Sequence, residues 1–289
     1  MLLPAVIVAL AFAQDSGRAT DARVAQCTPQ GSTVRVAELP EGSGVAASRR
    51  APGRAWAHND SGKPLLVALS DGGQAAGTVQ VAGAEVGDCE AMAVGPCPAG
   101  SCLYLADIGD NDAERDRITI YRMAEPDGSS ESVPVGDVFH ATYPDGPHDA
   151  ETLLVTPRGD LFIVTKGETG PVALYRFPGT PRPNTVVRLS RVGTPRHESR
   201  AAPDDRITDG AVSPDGTWIV LRTRRALLVH RAADLTSGSW REAGRIDLTA
   251  LGEPQGEGVT FASDTVLYLV GEGGGRSRPG TFARLSCTF

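Results

Sequence analysis

Lysine is nearly absent: Lys63 and Lys166 are the only two, and every other basic residue is arginine, a compositional bias before it is chemistry. Helical patterning is missing as well, since no stretch sustains a 3.6-residue apolar period. A net charge of −7, with no Lys/Arg cluster interleaved with aromatics, argues against a nucleic-acid partner. The five histidines show no H-x-x-H or H-E-x-x-H spacing, which argues against a zinc site. Ser61 and Ser101 sit in no G-x-S-x-G elbow. Gly273-Gly274-Gly275 is followed by no helix, so a phosphate loop fails its own context. The apolar run at residues 1–13 is too short to span a bilayer. It ends in Ala11-Phe12-Ala13, an A-x-A-like cleavage signal, and predicts a signal peptide and a secreted protein, although no Lys or Arg precedes the run. Residues 14–32 then read as a polar, flexible N-terminal segment and 33–289 as one domain.

What the chain does have is glycine and proline, 34 and 21 residues respectively, with frequent Asn/Asp-Gly turns. That suits many short strands joined by tight turns and is poor material for helices. One pattern recurs five times: an acidic or hydroxyl residue, a small residue, an apolar run and a turn. Its anchors are Ser43, Glu90, Glu151, Asp209 and Glu257, at steps of 47, 61, 58 and 48 residues. This is the spacing of a repeat array. Each repeat reads as four strands, A to D, and the last one ends a strand short at Thr281–Ser286. Thr33–Leu39 is the expected missing strand, which would pair the two ends of the chain in one blade and remove exposed sheet edges. The predicted fold is all-β: a five-bladed β-propeller of four-stranded antiparallel blades, rather than a β-sandwich or open solenoid.

In a propeller strand A is innermost, so its start faces the central channel. Four carboxylates there cannot all ionise without a cation or bound protons. Oxygen-only ligands and excess negative charge predict Ca²⁺ held by Ser43, Glu90, Glu151, Asp209 and Glu257. The segments after strand B should rim the same mouth. They supply His58, Asn59, Asp60, Asp107, Asp110, Asn111, Lys166 and Arg222 as candidate ligand-binding residues. A small molecule, a sugar or a peptide is the expected partner, and a monomer the expected state. Turn formation is the competing role for Asn59-Asp60-Ser61-Gly62 and Gly109-Asp110-Asn111. Among the five cysteines, Cys97–Cys102 across an A–B turn and Cys27–Cys287 at the chain ends are the expected bridges, with Cys89–Cys97 as the rival pairing.

The segments Asp88-Cys89-Glu90-Ala91 and Asp149-Ala150-Glu151-Thr152 resemble those of secreted bacterial β-propeller proteins whose blades open with a D-x-E-[small] motif. The Ser/Glu/Glu/–/Glu channel pattern and the blade count also resemble the calcium-activated nucleotidases (apyrases), five-bladed propellers with an axial Ca²⁺. The resemblance implies Ser43, Glu90, Glu151 and Glu257 as calcium ligands. The fourth position is a hydroxyl residue in that family, so Thr208 or Asp209 could fill it. The family's Trp after the second-blade glutamate is Ala91 here, so nucleotide hydrolysis does not carry over. Two functions follow. The first is a calcium-stabilised propeller that binds a ligand at its channel mouth without catalysis. The second is a Ca²⁺-dependent hydrolase of phosphate or sugar substrates, with Asp60, Asp107 and Asp110 activating water and Lys166 and Arg222 holding the anion. A lactonase or esterase is a more distant third, from fold alone.

Overall fold

The computed structural model describes residues 25–98, 100–195, 199–238 and 240–289; the expected signal peptide lies outside the described residues. Among them, five small sheets form a ring. Blade one consists of Gly42–Ala47, Arg54–Asn59, Leu65–Ser70 and Ala75–Ala82, edged by the parallel strand Ser132–Pro134. Blade two consists of Cys89–Cys97, Gly100–Asp107, Ile118–Ala124 and Asp137–Thr142. Blade three is Ala150–Val155, Leu161–Thr165, Leu174–Arg176 and Ser190–Gly193. Blade four is Ile207–Val212, Trp218–Thr223, Ala226–Arg231 and Gly244–Asp247. Blade five is Gln255–Ser263, Val266–Glu272 and Gly280–Thr288, completed from the N-terminal side of the chain. The five-bladed propeller expected from the repeat is therefore present, with blades of four or five strands.

Ring closure differs in detail from the expectation. Only Val34–Val36 of the predicted strand pairs with the last strand. Gln26–Pro29, placed by the sequence in a flexible segment, forms a second stretch that pairs with Leu285–Thr288. One long C-terminal strand therefore holds two short N-terminal ones end to end. The Cys27–Cys287 disulfide sits within that pairing, and Cys97–Cys102 closes the blade-two hairpin. Cys89 is the free, buried cysteine. Residues 186–192, one continuous β-rich run in sequence, are also split: Val186–Arg188 adds in parallel to blade two, while Ser190–Gly193 completes blade three. Leu189 between them is buried and anchors the crossover.

The A–B turns behave as their sequences require. Gly159 and Gly216 adopt φ of +85° and +71°, a region that side chains with a Cβ rarely enter. Their amides donate to Thr156 O and Ser213 O at 2.9 Å, closing both turns. Alternating apolar residues on each blade bury their faces against the next blade. The core accordingly divides into five clusters, one at each blade junction. Phe139, Tyr175 and Phe177 fill the junction of blades two and three, and Phe162 and Leu221 that of three and four. Each such side chain contributes about 1.5–3 kcal/mol by leaving water.

Candidate functional site at the channel mouth

Each innermost strand carries a β-bulge against its neighbour at the anchor. The A–B register skips the residues between Gly42 and Val45, Cys89 and Ala91, Ala150 and Thr152, Ile207 and Asp209, and Gly256 and Val259. The skipped residues include Ser43, Glu90, Glu151, Thr208 and Glu257. A bulge re-aims the extra residue out of the ladder, and here the fourth position of the ring belongs to Thr208. Asp209 is turned away: its Oδ2 accepts the Val259 amide at 2.8 Å, and it is fully buried. Thr208 Oγ1 instead donates to Glu257 O at 3.1 Å, just as Ser43 Oγ contacts Glu90 O at 2.8 Å. The two hydroxyls thus tie the innermost strand of blade one to that of blade two, and that of blade four to that of blade five. Small residues beside the anchors permit this approach. A Cβ on Gly44 would lie 2.7 Å from Met92 N, and one on Gly258 would lie 2.4 Å from Ser43 O.

Above this ring lies a polar cavity of about 200 Å³. It is lined by six carboxylates, Asp60, Asp88, Glu90, Glu151, Glu257 and Glu272, and by three cations, Lys166, Arg206 and Arg224; Asn111, Thr208 and Gln255 complete the wall. Asp60 Oδ1 is buried with no hydrogen-bond donor. Burial and crowding raise the proton affinity of the acids. Glu90 and Glu257 are pushed well above the carboxylate range, by burial first and by Glu151 next. Glu151 is raised to about 7 by burial, against the opposing pull of Lys166. Asp60, Asp88 and Glu272 move up for the same first reason.

Lys166 is the internal counter-ion. Its Nζ contacts Glu151 Oε1 and lies 3.3 Å from Asp149 Oδ2 and 3.9 Å from Glu168. Burial alone would weaken its hold on the proton, but Glu151 and Asp149 outweigh that and strengthen it. Arg206 is engaged too, 2.7 Å from Glu168. Among the described residues, no three His, Cys, Asp or Glu side chains are drawn together as a metal-ligand set. Of the five predicted calcium ligands, Glu90, Glu151 and Glu257 line the cavity; Glu151 is in contact with Lys166, and Asp209 accepts a backbone amide.

Of the eight loop residues singled out by sequence, Asp60, Asn111 and Lys166 line the cavity. The other five do structural work. His58 lies buried beneath Gly44, its Nδ1 3.0 Å from Asn59 O, and burial lowers its pKa to about 4. Asn59 accepts the Glu41 amide and donates to Glu38 O, both at 3.0 Å. Asp107 accepts the amides of Gly87 and Asp88 and pairs with Arg115 at 2.5 Å. Asp110 accepts the amides of Glu114 and Arg115 at 2.9 Å and so holds the loop that follows it. Arg222 is completely buried, donating to Gly258 O and Val270 O at 2.5 and 2.7 Å and pairing with Glu253. Asp88, Arg206, Arg224, Gln255 and Glu272 were not singled out as site residues. Asp88 had a signal in the D-x-E motif, and Arg224 and Glu272 lay in the rim segments; Arg206 and Gln255 had none.

No protein-family model matches the chain, and no curated protein is similar to it in sequence. Its fold is similar to that of the PQQ-bound form of aldose sugar dehydrogenase from Streptomyces coelicolor, with a TM-score of 0.54 and 10% identity over 91% of this chain and 98% of that one. A glucose dehydrogenase structure aligns with a TM-score of 0.48 and 15% identity over 88% of this chain and 99% of that one. Virginiamycin B lyase from Staphylococcus aureus gives 0.40 and 11%, over 84% and 67%. At such identities the likeness extends to the propeller fold alone.

Proposed function

We propose that this propeller is a secreted, non-catalytic binding protein that holds a calcium ion, and with it a small oxygen-rich ligand, at the acidic mouth of its channel. The observation that carries the reading is the imbalance of six carboxylates against three cations in a cavity of about 200 Å³, with a donorless oxygen on Asp60. Acids whose proton affinity is raised by burial, and next by one another, outnumber the cations beside them, and a hard divalent ion would offset that charge. Glu90, Glu151 and Glu257 would hold the ion, with the hydroxyls of Ser43 and Thr208 beside them. Binding requires Lys166 to leave Glu151. The two disulfides suit an oxidising compartment, and no helix among the described residues is long and apolar enough to cross a membrane.

Of the residues assigned to the hydrolase alternative, Asp60 and Lys166 line the cavity. Asp107, Asp110 and Arg222, which were to activate water and hold an anion, are engaged in backbone and ion-pair contacts outside the cavity.

The test is the melting temperature of mature protein in EGTA and in millimolar Ca²⁺, with calorimetric titration of the ion. Calcium should stabilise by mass action, about 2.7 kcal/mol at a hundredfold excess over its dissociation constant. Glu257→Gln should shrink that shift. Identical melting in both buffers with no heat of binding would leave Lys166 and protons as the counter-ions, and the calcium reading would fall.

A further inference from the structure

The two ends of the channel differ in chemistry. Four residues beyond the bulged ring positions of blades two, three and four lie Val94, Val155 and Val212, roughly 13 Å along an extended strand. Together with Gly95, Pro96, Pro157 and Pro214 they line a cavity of about 300 Å³ at the opposite mouth. It reaches inward to a neck of about 20 Å³ between Met92, Leu153 and Val259. No carboxylate lines either space; the one charged side chain in both is Arg49.

The polar groups of this lower mouth are already engaged elsewhere. Ser101 Oγ donates to Glu125 at 2.9 Å, Ser213 Oγ to Asp215 at 2.5 Å, and Thr156 Oγ1 to Asp160 at 3.4 Å. Arg49 is different. Its backbone amide donates to Glu125 Oε2 at 3.2 Å, but among the described residues its guanidinium meets no carboxylate within 4.0 Å. Its partial burial lowers its proton affinity, opposed through space by Asp264 and Glu125, while much of the side chain stays exposed at the rim. Glu125 is held by Ser48, Ser101 and Trp56, so it is not available as a partner. A guanidinium offers a rigid fork of donors that matches a carboxylate in two parallel bonds.

We infer that the lower mouth of the channel is a second binding site, which takes a small amphiphilic carboxylate with its apolar body in the Val94–Val155–Val212 funnel and its head on Arg49. The volume lies at the lower bound of small-molecule pockets, about 300–1,000 Å³, so the ligand is a single short chain or ring rather than a peptide. Apolar walls supply affinity by area, and Arg49 supplies selectivity for the anion.

The probes are octanoate, octanol and octylammonium, titrated into the full mature protein by calorimetry. Octanoate should bind at least tenfold more tightly than octanol, and octylammonium more weakly than either. Arg49→Gln, at an exposed rim position, should lower octanoate affinity about tenfold and leave octanol unchanged. Val94→Asp should abolish octanoate binding, and an unaltered melting temperature with Arg49→Gln guards against a folding artefact. Equal affinities for octanoate and octanol, binding untouched by Arg49→Gln, or no binding of any probe would each overturn the inference.

Discussion

Ser43 Oγ lies 2.8 Å from the carbonyl oxygen of Glu90 and 2.9 Å from its carboxylate, so a single hydroxyl links the innermost strands of two blades at the channel axis. Thr208 repeats the carbonyl contact with Glu257. Hydroxyls thus alternate with acids around part of the ring, and they lower the charge density there.

The bulge at Thr208 separates two neighbouring residues by role. Asp209→Ala removes the acceptor from the Val259 amide and should cost about 1–3 kcal/mol in urea unfolding, with calcium affinity preserved. Thr208→Glu adds a ligand to the mouth and should tighten calcium binding. The reverse pattern would assign the ring position to Asp209.

Arg222 holds blades four and five together. Arg222→Met leaves Glu253, whose side chain is 3% exposed, without its partner and should cost about 3–5 kcal/mol. Arg222→Lys should recover little, because one ammonium cannot reach Gly258 O, Val270 O and Glu253 together. Urea midpoints measure both. Ligand affinity at the mouth should stay as in the wild type, since Arg222 lies outside the cavity.

Lys166→Met removes the internal counter-ion of Glu151 and Asp149. The metal-free protein should melt lower, and the stabilisation produced by Ca²⁺ should exceed that of the wild type. Differential scanning fluorimetry in EGTA and in Ca²⁺ reads both changes. A calcium shift smaller than in the wild type would show that Lys166 supports the ion rather than competing with it.

Two buried groups give stability opposite dependences on pH. The folded-state pKa of His58 is depressed from 6.5 to about 4, so its contribution is complete above pH 6.5 and is lost as pH falls through that interval, by about 3 kcal/mol at pH 4. Glu151 is raised from 4.5 to about 7, so its contribution is complete below pH 4.5 and is lost as pH rises toward 7. His58→Gln should therefore flatten the acid limb of the stability profile, and Glu151→Gln the limb between pH 4.5 and 7. Denaturant unfolding of both variants across pH 4–8 separates them. An acid limb unchanged in His58→Gln would show that other groups set it.

The Cys27–Cys287 bridge closes a loop of 260 residues. Replacing both cysteines with serine should cost about 2–5 kcal/mol, within the chain-entropy limit. The loss should appear as faster hydrogen exchange in Gln26–Pro29 and its partner strand before it appears in blades two to four. Cys89 should resist alkylation until the protein unfolds, as burial raises its thiol pKa well above normal.

The repeat was legible because each blade must solve the same local problem: a turn, an alternating apolar strand and a crowded axis. Anchors at Ser43, Glu90, Glu151 and Glu257 carried that signal, as did the Pro-Gly turns at 157–160 and 214–217. The fourth anchor was displaced by one residue because Asp209 resembles the other acids in type, whereas position in the ring is set by a bulge. A bulge is a property of strand pairing, and nothing in Thr208-Asp209 alone announces it. The split of residues 186–192 between two blades was hidden for the same reason, since both halves are equally good strand.

Composition, turn chemistry and five-fold spacing were sufficient, by themselves, to specify an all-β ring of five blades closed through the chain ends. These are local preferences repeated in register, and their sum has one compact solution. The cysteine pairing stayed open between Cys97–Cys102 and Cys89–Cys97 until the fold placed them. Which charged residues face the cavity was decided only in the tertiary structure. Arg222 falls inside the strand Trp218–Thr223, opposite Asp209, and is sealed between blades, whereas Lys166 follows the strand Leu161–Thr165 and stands among the channel acids. That choice depends on which carbonyls and carboxylates the neighbouring blades present, and those come from residues tens of positions away in the chain.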